Sequence, residues 1–169
     1  MRVIKKQSNS KDCIVCGISN PYGVHASFYE MEDHSLIAVF SFDPNHQSYP
    51  ERTHGGLISA LIDETVGRAI WIDEPKTYAC TIKLEVSFHK AVPYGEKLYC
   101  VGRIDKRNAI SFEGHAEIKN KKGELLANGK ALYMKLKLEQ IAPNSSHSGH
   151  LCEEDLNIDV PDDVKEINI

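Results

Sequence analysis

Two adjacent carboxylates, Asp63 and Glu64, follow a His54-Gly55-Gly56 triplet, with Asp63 nine residues after the histidine. A carboxylate can serve as a general base or as a nucleophile. Two glycines at the start of a helix weaken it unless close backbone approach is their purpose. The free N–H groups there, with the positive end of the helix dipole, make a site for an anion or a developing oxyanion. The other constellation is Cys13-x-x-Cys16, a spacing found in metal and thiol sites. A structural zinc site needs four ligands. Here Cys80, Cys100 and Cys152 are scattered, and His25 is the nearest further donor. The expectation is therefore a turn that packs into the core, with no metal and no cofactor.

The acids must be carried on a helix. Gly56 to Ile72 is the one long helical pattern, and Asp73-Glu74-Pro75 stops it. At 100° per residue Asp63 shares its side with Gly56, Ser59, Ala60, Val66, Gly67 and Ile70, which are small or apolar. A backbone or a thin ligand could come close there. Glu64 points about 100° away. Arg68 follows it by four residues in the acid-first order that favours an ion pair. Glu64 thus has a structural partner within the helix, and Asp63 has none. Leu57, Ile58, Leu61, Ile62, Val66, Ala69, Ile70, Trp71 and Ile72 make the helix apolar nearly all round, the mark of a buried helix.

Extended segments surround it. Residues 25–31 and 35–42 read as a hairpin, and Asp43 to Thr53 as a loop. Four further strands are expected near 77–90, 96–106, 109–119 and 124–137, with turns at Arg107-Asn108 and Asn120 to Gly123. One long helix among about six strands buries its surface only if the sheet wraps it, so the fold class is α+β. Residues 1–24 read as an irregular lead-in, 25–138 as the domain and 139–169 as a polar, acidic tail with a short helix after Pro161.

The whole chain has 169 residues, 41% of them hydrophobic and 26% charged, which suits a single folded domain. Net charge is −4. Residues 151–169 carry seven acids and one lysine, which leaves the rest slightly basic. Nothing there calls for nucleic acid. No apolar run approaches the roughly 20 residues of a membrane span. Met1 to Lys11 is polar and basic, so the cytoplasm is the expected compartment and thiols the expected state of the cysteines.

The stretch Thr53-His-Gly-Gly-Leu-Ile-Ser-Ala-Leu-Ile-Asp-Glu-Thr-Val-Gly67 resembles the core motif of hotdog-fold acyl-CoA thioesterases of the PaaI-like type. His46-Gln47-Ser48-Tyr49-Pro50, Val86 to Pro93, and Cys13 to Gly23 are similar to that family as well. The resemblance covers about residues 13–137 and implies a hotdog fold. It implies a homodimer with active sites shared between subunits, often paired further into a homotetramer. It implies hydrolysis of an acyl-CoA thioester. Asp63 would be the catalytic carboxylate, with Gly55 or Gly56 as oxyanion donor and Thr81 on the following strand as helper. His54 is a further catalytic candidate, with a conformational role as its alternative. Gln47 is the first choice among Asn45, His46 and Gln47 for holding the thioester, and Glu64 a secondary substrate contact. Ser48 stands where many relatives have glycine. Lys90 and Arg107, with Arg103 and Lys106 nearby, are candidates for the coenzyme A phosphates. The alternative is a hotdog module that binds acyl-CoA without hydrolysing it. An acyl hydratase shares the architecture, but its His-plus-acid pattern is not found.

Overall fold

Period-2 burial builds the centre of the sheet. In the computed structural model, which describes residues 1–143, 165–167 and 169, β1 is Val3–Lys6, β2 Ser27–Met31 and β3 Leu36–Phe40. The helix α1 (Gly55–Ala69) follows, then β4 (Tyr78–Phe88), β5 (Leu98–Arg107), β6 (Ser111–Asn120), β7 (Leu125–Leu136) and a short α2 (Leu138–Ile141). All strand pairs are antiparallel, in the order β1-β2-β3-β5-β6-β7-β4. Along β6, Phe112, Gly114, Ala116 and Ile118 are buried and their neighbours less so. Along β5 the buried positions are Leu98, Cys100 and Gly102.

The sheet wraps the helix because the strands facing it have given up their side chains. Gly102 on β5 pairs with Ala116 on β6, which pairs with Gly129 on β7; Gly114 pairs with Ala131. A Cβ at Gly102 would lie 2.9 Å from Thr65 Cγ2, one at Gly114 2.8 Å from Val66 Cγ1, and one at Gly129 2.8 Å from Ile62 Cγ2. This row of glycine and alanine is a groove into which Ile62, Thr65 and Val66 seat. Leu61, Ile62, Thr65 and Val66 have no exposed surface.

The expected elements recur with small shifts. The helical pattern to Ile72 ends as α1 followed by one 3₁₀ turn, Ile70–Ile72. Three differences matter. The lead-in is not wholly irregular, since β1 pairs with β2 and makes a seventh strand. The described end of the tail packs on the sheet: Val3 N–H bonds to the Lys165 carbonyl, Ile167 N–H to the Met1 carbonyl, and Ile167 is buried with Tyr29, Met31 and Ile37. The helix is not enclosed all round, because the half-buried side bearing Asp63, Glu64 and Gly67 borders a cleft. The short helix expected after Pro161 begins outside the described residues.

Candidate active site

Asp63 stands midway along α1 and is half-buried. Thr81 Oγ1 donates a hydrogen bond to its Oδ1 at 2.8 Å. The Tyr133 hydroxyl lies 3.0 Å from the same oxygen and 2.7 Å from the Asp63 main-chain carbonyl. The sheet sets up this pair of hydroxyls. Thr81 on β4 is the direct cross-strand partner of Tyr133 on β7, and the register slips by one residue immediately after, at Ile82. A bulge re-aims side chains and is common beside active sites. Tyr133 is held flat by stacking on Phe112, with centroids 4.7 Å apart. Burial pushes the Asp63 carboxyl above its ordinary range, and the Thr81 and Tyr133 hydrogen bonds offset part of that rise. Burial and the neighbouring Asp63 push the Tyr133 phenol up, so it stays protonated and able to donate.

Tyr133 is the site residue that sequence reasoning missed. Its hydroxyl reaches Asp63 from a strand 70 residues away. Gly67 is the only local trace: a Cβ there would lie 3.4 Å from the Tyr133 ring. The small side of the helix at this point therefore receives an aromatic ring of the sheet, not a thin ligand.

The helix start is built differently from expectation. His54 is the N-cap, and its Nδ1 accepts from the Gly56 N–H at 2.9 Å. Leu57 and Ile58 N–H both bond to the His54 carbonyl. Among the described residues no hydrogen bond uses the Gly55 N–H, as expected for the first residue of a helix. Gly55 borders a shallow cleft with Arg52, Phe88, His89 and Lys90. Arg52 is a cation there that the sequence reading did not select.

Of the three candidates in the preceding loop, His46 has a structural task. It is buried, its Nδ1 accepts from Asp43 N–H at 3.0 Å, and its Nε2 lies 3.0 Å from the Tyr22 carbonyl. Gln47 is exposed and accepts from the Tyr94 hydroxyl at 3.4 Å; Asn45 is exposed in the 3₁₀ turn Pro44–His46. Lys90 pairs with Glu124 at 2.9 Å, and Arg107 pairs with Asp73 and Glu74. Arg103 is engaged by Asp33.

Glu64 makes the ion pair expected of it, 2.7 Å from Arg68 Nε. Arg68 is buried, donates to the Ser8 carbonyl at 2.9 Å and lies over the rings of Phe28 and Trp71. Cys13, Cys16 and Glu64 bring their ligand atoms within 4.8 Å of one another. His25 is not part of this group, since its Nδ1 faces the Gly17 carbonyl at 2.8 Å.

The fold has known counterparts. The sequence pattern of the Thioesterase superfamily matches residues 52–127, the segment from the loop before α1 into β7. Its fold is shared with protein RHA08564, a thioesterase superfamily protein, at TM-score 0.66 and 20% identity over 73% of this chain and 63% of that one. It is also similar to the Escherichia coli PaaI protein of the phenylacetic acid degradation operon, at TM-score 0.60 and 13% identity over 68% and 81%. Bacillus halodurans protein BH2602, solved with CoA, gives 0.58 and 22% over 65% and 73%. No curated protein matches the chain. The chain has the hotdog fold of these proteins, and its residues 52–127 match the sequence pattern of the Thioesterase superfamily.

Proposed function

We propose that the protein is an acyl-CoA thioesterase acting on a small or medium acyl group, with Asp63 as the general base or nucleophile. The observation that carries this reading is a half-buried carboxylate at a cleft, gripped by two hydroxyls and, among the described residues, with no cation paired to it. An ion-paired structural acid would be held low instead; this one is kept raised, where it can take a proton from water. The Gly55 N–H is the oxyanion donor, because His54 already occupies the Gly56 N–H. His54 then positions the turn instead of touching the substrate, and Arg52 joins Lys90 as a partner for the coenzyme A phosphates. The CoA bound to the similar BH2602 fold supports the choice of carrier.

Gly55 and Asp63 of one chain are eight residues apart on one helix, about 12 Å. One thioester carbonyl cannot reach both. The site is therefore completed by a second copy, whose Asp63 faces this chain's Gly55. The long β4 lies at the end of the sheet with Ile82 and Phe88 exposed, and it is the edge proposed to meet that copy. The four described cysteines are free thiols, the state a cytoplasmic compartment maintains. Among the described residues no helix is long and apolar enough to cross a membrane.

A thiol-release assay over a panel of acyl-CoA chain lengths tests the reading. Asp63→Asn should lower kcat by roughly 10²–10⁴ with CoA binding retained. A folded Asp63→Asn protein with near wild-type turnover would sink it. Binding without thiol release by the wild type would instead leave a non-hydrolytic acyl-CoA module.

A further inference from the structure

The cysteine pair beside the cleft is unused by the proposed chemistry, and its two thiols are not alike. Gly17 N–H bonds to the Cys13 carbonyl at 2.8 Å, which closes a helical turn over 13–17. Residues three apart in such a turn have Cα atoms about 5 Å apart. That lies inside the range of roughly 4.4–6.8 Å that a disulfide spans. The two sulfurs are within 4.8 Å. Cys13 lines the cleft together with Asp63 and Thr81, and its sulfur accepts from the Val15 N–H at 3.3 Å. Cys16 has no exposed surface, accepts from Arg68 Nη2 at 3.0 Å and faces Glu64 at 3.4 Å.

We propose that Cys13 and Cys16 are a reversible dithiol–disulfide pair, opened to small disulfides through the cleft and coupled to the helix turn that carries Asp63. Cys13 is the attacking thiol and Cys16 the resolving one. The Cys13 thiol is held below its ordinary range, chiefly by its hydrogen bond with Cys16, which favours the thiolate that attacks. The Cys13 thiolate attacks one sulfur of a low-molecular-weight disulfide, forming a mixed disulfide and expelling one thiolate. Cys16 then gives up its proton and attacks the Cys13 sulfur. The mixed disulfide breaks, the Cys13–Cys16 bond forms, and a second thiolate leaves. The protein loses two electrons and two protons, and the small disulfide becomes two thiols.

A metal fits the same residues poorly. Among the described residues three ligand atoms are present where a structural zinc site takes four, and the Arg68 guanidinium already occupies the charge position beside Cys16 and Glu64. Pairing removes the Cys16 S–H that faces Glu64 and weakens the sulfur that receives Arg68. Glu64 adjoins Asp63, so the oxidised form is expected to turn over several-fold more slowly. Only that consequence rests on the hydrolase reading; the pairing does not.

The test equilibrates the full chain in mixtures of reduced and oxidised glutathione, traps thiols with iodoacetamide and maps them by peptide mass. The expected result is a Cys13–Cys16 disulfide that reverts on reduction. Cys16→Ser should stop at a glutathione adduct on Cys13, and Cys13→Ser should form neither. Both thiols still alkylated in the wild type under oxidised glutathione alone would overturn the proposal, as would zinc that co-purifies and protects them. Pairing without thioester hydrolysis in either state would keep the pair and remove the hydrolase reading. Hydrolysis with thiols that never pair would do the reverse.

Discussion

Asp63 and Glu64 are neighbours in sequence with opposite proposed duties, and stability measurements should separate them. Burial raises the Asp63 carboxyl, so the folded chain binds its proton more tightly than the unfolded chain. Its contribution to stability is greatest below the ordinary carboxylate pKa and is lost as pH rises through the raised one. At neutral pH the folded protein carries a charge it would rather not hold. Asp63→Asn keeps an oxygen for Thr81 and Tyr133 and should raise Tm at pH 7 while it lowers turnover. The acid limb of the wild-type kcat profile should fall above the usual carboxylate range. Glu64 is the reverse case, because Arg68 is buried and relies on it. Glu64→Gln should cost roughly 1–3 kcal/mol in chemical denaturation and reduce turnover far less than Asp63→Asn. The sequence made this division readable, since helical spacing puts Arg68 under Glu64 and no cation under Asp63. His54 was open to two roles until its ring nitrogen was seen on the Gly56 N–H.

At the level of elements, the glycine row is what brings helix and sheet close enough for Tyr133 and Thr81 to reach Asp63. Gly114→Ala would set a Cβ 2.8 Å from Val66 Cγ1 and closer still to the Arg103 carbonyl. Overpacking of this kind typically costs about 1–3 kcal/mol, and the backbone contact places this case at the upper end. Urea titration should show that loss, with turnover falling as the helix is pushed off the sheet. Element types and order were legible because each strand is bounded by turn residues and the helix by its glycines and Pro75. The glycine row was not, because Gly102, Gly114 and Gly129 gain meaning only when three strands align in register. β1 was missed for a related reason. Val3–Lys6 is four residues with two lysines, too short and too polar to signal a strand without β2 beside it. Tyr133 looked like any other aromatic of a core strand.

At the level of the molecule, the two ends of the sheet are finished differently. Arg2 bridges to Glu166, and Val3 donates to the Lys165 carbonyl, so the β1 end carries a short seam of the chain's own C-terminal residues. The β4 end is eleven residues long and has no strand beyond it among the described residues. Long bare edges invite pairing. Ile82→Lys on β4 should shift the oligomer toward monomer in sedimentation, and turnover per chain should drop with it. A sheet sealed at one end and open at the other can add one copy of itself and then has nothing left to offer. Pairing through β4 alone is therefore self-limiting, closing into a two-fold object instead of running on as a filament. Lys165, Glu166 and Ile167 would then work as an end stop, and their value would show in what the protein avoids becoming.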